Sequence, residues 1–401
     1  MATAQRDDRW TTRYPGLGTG PIPVEPNISP EYFELEREKV FRRAWLNIGS
    51  AREIPEPGDY IVRDIEVLKT SLIIKRGGDS VIRGFHNVCK HRGNKLVRGC
   101  GGRAKGGFTC NFHGWTYDSA GRLAHVPDEE QFFDLNKCNY GLTPVATDLW
   151  NGFIFVNVDP EPRETLEQAM GEIGRQLKGY PFQSMEPVGR YTAEVKVNWK
   201  VFMVAFMECY HVPFLHRRTI PDCSTGRSNP LCHLLSVRLF DRHRSCSVYA
   251  NPDHKPSQAE LLAYKYGPTV IQGESAKNAL PAGTNPEGHT NWAFDMNGFY
   301  PNLIIHVGNG FYYTLTFWPI SASLTRWDVK LYMSPPKNAG ERISQEFSKI
   351  LTRDLYRKDL STMENVQASL ESGVLQHFPL SDQELLVRHS YKVIEDAVRA
   401  Q

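Results

Sequence analysis

Hydrophobic and polar positions alternate with a period of two in two separate parts of the chain, and helical periodicity lies between and after them. In the first part, WLNIGS, DYIVRDI, LKTSLIIKR and VIRGFHNV fill residues 45–87, cut by Pro55-Glu56-Pro57-Gly58 and Gly77-Gly78. Such runs predict an antiparallel meander. GWTYDSAGRLAHVP predicts a strand with a Ser-Ala-Gly turn, and LWNGFIFVNVD (149–159) a further strand. In the second part WAFDMNGFY, NLIIHV, FYYTLTFWPI and TRWDVKLYMSP follow from Trp292. The SPEYFELEREKVFRRAW stretch opens on Ser29-Pro30 and acidic residues and repeats apolar Phe33, Leu35, Val40 and Phe41, which predicts a short helix. ETLEQAMGEIGRQLKGY predicts a helix, GRYTAEVKVNWKVFMVAF a strand running into an apolar helix, and the proline-free residues 338–370 a long helix. Residues 217–290 are rich in Pro, Gly, Ser and Asn, and predict long loops around a few strands such as HLLSVRLF. Strands and segregated helices make an α+β architecture with an antiparallel sheet.

A chain of 401 residues is too long for one modest core, so two domains are expected. We place the first at 41–155 and the second at 156–401, with Pro160 and Pro162 after its last strand. Residues 1–40 then form an arm and helix packing on the second domain. The formal net charge is +2 and 23% of residues are charged, which gives no basic surface for nucleic acid. Eight cysteines in this length lack the density of a disulfide-stapled secreted scaffold. No apolar leader segment opens the chain and no run of 18 apolar residues occurs, so the expectation is a cytoplasmic protein off the membrane. GGRAKGG at 101–107 lacks the strand and helix that a phosphate-cradling glycine motif needs.

Two constellations carry chemistry. Cys89-x-His91 and Cys110-x-x-His113, separated by 18 residues, each bring one thiolate and one imidazole to a loop tip. Two cysteines on one iron and two histidines on the other is the Rieske [2Fe-2S] arrangement. A structural zinc site more often pairs like with like, and the mixed clusters suit a centre with unlike halves. Further on, MECYHVPFLH places Glu208, His211 and His216 within nine residues. Glu208 and His211 share a side if the segment is helical, and Pro213 can bend the chain to bring His216 round. Two imidazoles and a carboxylate form the facial triad of a non-haem Fe(II) oxygenase. Asp354, Asp359 and Glu364 on the long helix are the carboxylate candidates. Read bare, His211 and His216 are also acceptable core histidines, and Asp359 an ordinary helix charge.

Together CKHRGNKL, FTCNFHGWTYDSAGRL, NWK at 198–200, ECYHVPFLH, YPNLIIHVG and DLSTMENVQ resemble the large subunit of Rieske-type non-haem iron oxygenases nearly end to end. The resemblance implies an all-β Rieske domain and a helix-grip (START-like) catalytic domain. It implies Cys89 and Cys110 on one iron, His91 and His113 on the other, and His211, His216 and Asp359 on a mononuclear iron, favouring Asp359 over Glu364. It further implies O₂ as co-substrate and electrons from a ferredoxin or flavin reductase supplied by NAD(P)H. In a head-to-tail homotrimer, Glu208 would bridge His211 to His113 of a neighbouring subunit. Departures are CNFH for the commoner CPYH, Val204-Ala205 where polar residues are frequent, and Arg217 where proline is frequent.

The expected pocket is aromatic: Phe202, Phe206, Met207, Trp292, Phe294, Met296, Phe299, Asn302, Phe311 and Tyr312. Glutamate at 208, where many ring dihydroxylases of that family have aspartate, resembles the family's homotrimeric branch, and the resemblance implies monohydroxylation or oxidative N- or O-dealkylation of a largely apolar, aromatic small molecule. Ring cis-dihydroxylation and oxidation of a betaine- or carnitine-like quaternary ammonium are the alternatives. A Rieske electron carrier with a non-catalytic second domain is the reading from another class.

Overall fold

The computed structural model describes residues 9–267, Thr269 and residues 280–400, and the chain divides into two compact units. One spans Arg37–Ala169; the other joins Met1–Glu36 to Met170–Gln401. The first residues of the arm and part of the 217–290 interval fall outside the described residues.

In the Arg37–Ala169 unit the alternating runs become a seven-stranded antiparallel sheet. Its order is Leu46–Ser50, Phe153–Asn157, Pro144–Trp150, Ile82–His86, Thr70–Arg76, Asp59–Ile65, Gly101–Arg103. A three-stranded sheet (Gly107–Thr109, Thr116–Asp118, Leu123–His125) carries the second Cys–His loop. Its tight turn is closed by Asp118, whose carboxylate accepts the Ala120 and Arg122 N–H groups. Between the sheets lies a core of Val62, Ile73, Phe85, Phe108, Trp115 and Tyr117, and both Cys89 and Cys110 belong to it.

The other unit is built on a second seven-stranded antiparallel sheet. Its order is Glu186–Val195, Leu324–Met333, Phe311–Ser321, Leu303–Val307, Trp292–Phe299, His243–Tyr249, Ser236–Phe240. Against it lies the helix Ala339–Glu371, 33 residues or about 50 Å long. Asn338 starts it, its side chain accepting the Glu341 N–H at 3.0 Å. The buried positions Ser344, Ser348, Thr352, Tyr356, Asp359, Met363, Gln367 and Leu370 repeat every three or four residues, one stripe facing the sheet. Small and polar members of that stripe let the helix approach closely.

Four local features differ from the sequence expectation. The helix Gln258–Tyr266 arises where long loops were expected, and the helix Leu385–Arg399 where no element was. The Leu166–Gln176 helix is broken at Gly171, whose φ of 55° leaves the helical region. The helix expected from Ser29 forms as Pro30–Glu36 and runs on into a wider π turn at Arg37–Phe41. Finally, the segment holding Glu208 is not helical: the helix Trp199–Val204 stops before it, and Val212–Leu215 is a separate single turn.

A buried ion pair fastens the arm helix. Lys200 Nζ lies 2.5 Å from Glu36 Oε1, with side chains 1% and 0% exposed, and Trp199 Nε1 donates to Glu36 Oε2 at 2.9 Å.

Candidate metal centres and their cavity

Both Cys–His loops use one device. The Cys89 carbonyl accepts the Gly93 N–H and the Cys110 carbonyl the Gly114 N–H, each at 2.9 Å. Both glycines sit at positive φ, 75° and 72°, where a side chain would be strained. The loops meet: Asn94 Nδ2 lies 3.4 Å from Cys110 Sγ, and the His91 and His113 rings are 4.6 Å apart. Tyr117 Oη sits 3.3 Å from Cys89 Sγ and accepts the Lys90 N–H. The His91 ring stacks on Trp115 at 4.9 Å. Burial raises the Cys89 thiol. At Cys110 burial acts the same way, yet N–H groups of Asn94, Phe112 and His113 hold the thiol below its ordinary value. Two buried thiols within reach of each other without a disulfide, N–H groups aimed at sulfur, and a buried His91 Nδ1 with no partner all fit a bound two-iron cluster.

The second donor set draws on two distant segments. His216 Nε2 lies 2.9 Å and His211 Nε2 3.7 Å from Asp359 Oδ1. These three donor atoms lie within 4.8 Å of one another, the donor set and spacing of a two-histidine, one-carboxylate metal site. Pro213 sits in the first turn of Val212–Leu215, and His216 caps the end of that turn, so a new helix turn rather than a bent one brings His216 round. Glu208 reaches His211 from a turn. Its Oε1 bonds His211 Nδ1, and its Oε2 accepts the Tyr210 and His211 backbone N–H groups. Burial works against the charged His211 ring, but the Glu208 bond and the Glu208 and Asp359 charges raise its pKa. Asp359 belongs to the buried helix stripe, whereas Glu364 accepts the Lys196 N–H and Asp354 pairs with Arg353 at the surface. Helix phase decides the carboxylate.

A cavity of about 110 Å³ opens on the triad. Of the ten expected lining residues, Phe206, Phe294 and Met296 line it. The other seven are corrected to packing roles. Phe202 packs on Phe317 and Trp327, and Met207 is fully buried. Trp292 donates to Asp295, turned aside by an irregular register at Val248/Tyr249. Phe299 lies by His243, and Asn302 donates to the Phe317 carbonyl. Phe311 packs on Tyr313, and Tyr312 stacks on Tyr332 on the opposite sheet face. Strand register explains the rest. Cys246, Met296, His306, Tyr313 and Leu331 pair in one row across the sheet, and three of them reach the cavity.

The sequence reading missed Tyr313, His306, Tyr356, Thr352 and Leu355, together with Cys209 and Cys232, all of which line the cavity. Cross-strand register and the three-four stripe were the signals available for the first four. His306 is buried, its Nε2 has no partner, and burial pushes its pKa down to about 3, so it presents a neutral imidazole.

Residues 182–400 match the family model for the ring hydroxylating alpha subunit (catalytic domain), and residues 44–145 that for the Rieske [2Fe-2S] domain. The chain belongs to the ring-hydroxylating oxygenase alpha-subunit family. It is therefore a Rieske oxygenase, an enzyme with the residues for a [2Fe-2S] cluster and a mononuclear non-haem iron, and its family works with electron-donating redox partners. Among relatives, the carnitine monooxygenase oxygenase subunit of Acinetobacter baumannii is 28% identical over 357 residues, covering 86% of this chain and 83% of that one. The alpha subunit of 2-aminobenzenesulfonate 2,3-dioxygenase from Alcaligenes sp is 35% identical over 47% of this chain and 48% of its own. In fold, a quaternary ammonium Rieske monooxygenase superposes with a TM-score of 0.74 at 22% identity, covering 94% and 95% of the two chains. Naphthalene 1,2-dioxygenase from Rhodococcus sp. gives 0.74 at 21%, covering 95% of each. Among the described residues, no helix is long and apolar enough to cross a membrane.

Proposed function

We propose that this oxygenase inserts one oxygen atom into a C–H bond beside the nitrogen of a quaternary ammonium compound with a neutral tail. The observation that carries this reading is the cavity wall. Phe206, Phe294, Tyr313 and Tyr356 line it, Glu208 and Asp359 stand at its base, and no Lys or Arg occurs among its described lining residues. Aromatic rings attract an alkylammonium electrostatically. The likeness to carnitine monooxygenase supports the cationic head, while the missing basic side chain disfavours a carboxylate tail. His306, Ser224 and Thr352 are left to orient a hydroxyl-bearing tail.

Cys89, Cys110, His91 and His113 hold the cluster in this reading, and His211, His216 and Asp359 the iron. When bound, the cluster passes single electrons and the mononuclear iron activates O₂. Glu208 fixes the His211 ring through Nδ1, so that Nε2 faces the donor set. The apolar wall of Ile220, Val248 and Leu355 keeps bulk water from the reacting carbon. Hydroxylation of a carbon bound to nitrogen lets the C–N bond break, releasing a tertiary amine and leaving a carbonyl. The finer assembly belongs here too: a cytoplasmic head-to-tail homotrimer served by a ferredoxin or reductase, in which Glu208 bridges to His113 of the next subunit. Exposed Tyr210 and Phe214 beside His211, and exposed Phe112 beside His113, offer apolar edges for such docking.

An apolar aromatic substrate is the second reading, favoured by the aliphatic part of the same wall. Turnover of paired substrates under ¹⁸O₂ separates them. A trialkylammonium alcohol should be cleaved with one labelled oxygen, and its tert-butyl analogue, lacking the charge, should bind roughly 2- to 30-fold more weakly. A doubly labelled cis-diol from an arene, or equal binding of the charged and uncharged pair, overturns the ammonium reading.

A further inference from the structure

Away from the iron triad, Cys223, His254 and Glu260 converge at a second point. Cys223 Sγ lies 3.5 Å from His254 Nε2 and 3.8 Å from Glu260 Oε1, and His254 Nε2 lies 3.2 Å from Glu260 Oε1. A tetrahedral zinc with ordinary bond lengths spaces sulfur and nitrogen about 3.6 Å apart, sulfur and oxygen about 3.6 Å, and nitrogen and oxygen about 3.4 Å. The three separations seen here are within a few tenths of an ångström of those edges. Behind the imidazole, Asp222 Oδ1 lies 2.5 Å from His254 Nδ1. That carboxylate–histidine pair is how metal-binding imidazoles are commonly oriented.

We propose that Cys223 Sγ, His254 Nε2 and Glu260 Oε1 bind a zinc ion, distinct from the two iron centres. Asp222 orients His254 and is not itself a ligand. Binding displaces the thiol proton of Cys223, so the site closes with a thiolate, a neutral imidazole and a carboxylate. Three protein ligands leave the fourth position to water.

The site ties three pieces of chain together: the loop at 222–223, the loop at 254, and the helix Gln258–Tyr266, whose start Glu260 also caps through Oε2 to the Ser257 N–H. The loops are already stitched, since Asn251 N donates to the Cys223 carbonyl at 2.8 Å and Asn251 Nδ2 to the Asp222 carbonyl at 3.0 Å. Cys223 adjoins Ser224, which lines the substrate cavity, so the ion would pin one cavity wall. A purely hydrogen-bonded cluster is the competing account. Burial and the Glu260 and Asp222 charges push the Cys223 thiol pKa up and so favour its protonated form, as that account requires, but it leaves the tetrahedral spacing as coincidence.

The experiment is elemental analysis of the full-length holoenzyme, purified without chelators and dialysed against a small excess of zinc. The expected result is about one zinc per chain beside the iron. Cys223→Ser and His254→Gln should each lower bound zinc at least tenfold with iron and acid-labile sulfide unchanged, and Asp222→Asn should weaken zinc affinity about 10- to 100-fold. Cobalt in place of zinc should give thiolate-to-metal absorption that Cys223→Ser abolishes. Iron-loaded wild type holding under a tenth of an equivalent of zinc overturns the proposal, as does zinc retained in full by Cys223→Ser. If a variant misfolds, the wild-type stoichiometry and the cobalt spectrum still decide.

Discussion

At the Cys–His loops the sulfurs are buried in a core while the imidazoles reach toward solvent, beside a Phe112 that is 56% exposed. At the triad the arrangement is turned inward: His216 and Asp359 are buried, and only His211, on the Glu208 side, approaches the surface. The contrast follows from the work each does. A centre that exchanges electrons with another molecule needs an edge close to it, whereas one that handles O₂ and a C–H bond needs a cavity without bulk water. Local chain suffices for the first, and for the second only long-range packing can enclose the donors.

The comparison breaks most completely with single-ligand changes. Asp359→Ala should leave the cluster's visible spectrum intact and remove product formation, while Cys110→Ser should bleach the cluster and leave triad iron measurable. Absorbance and iron counting in both variants check this, and coupled loss of both centres from either change would contradict independent sites. The next effect is on stability. Glu36→Gln strands Lys200 as a buried, uncompensated cation and should cost about 3–5 kcal/mol, read by denaturant unfolding of the catalytic unit. A loss below about 1 kcal/mol would show the pair is not holding the arm. Smallest is Glu208→Gln, which keeps an acceptor for the backbone N–H groups but loses the charge beside His211. Both metals should remain, with electron delivery to the iron slowed about 10- to 100-fold in rapid single-turnover reduction. An unchanged rate would remove Glu208 from the proposed bridge.

Much of this was legible in the chain. The four Rieske ligands stand in two short motifs whose loops need only local hydrogen bonds and a left-handed glycine. The four strands after Trp292 and the 33-residue helix were plain in periodicity. The cavity was less so, since aromatic composition marks core and pocket alike: three of ten expected residues line it, and Phe202, Trp292 and Tyr312 prove to be packing. Glu208 was expected on a helix and acts from a turn instead, because its carboxylate competes for the backbone N–H groups that a helix would use.

What the sequence determined by itself was the kind of chemistry: ligand types at fixed local spacing, two periodicities, and an order of motifs found in one family. What only the tertiary structure decided was which residues meet. His306 faces the cavity because strand register sets one row opposite another, and Asp359, which the resemblance had favoured over Glu364, reaches the histidines because a helix stripe repeats every three or four residues. The Cys223–His254–Glu260 cluster appears in no local motif, since its members come together only when two loops and a helix pack.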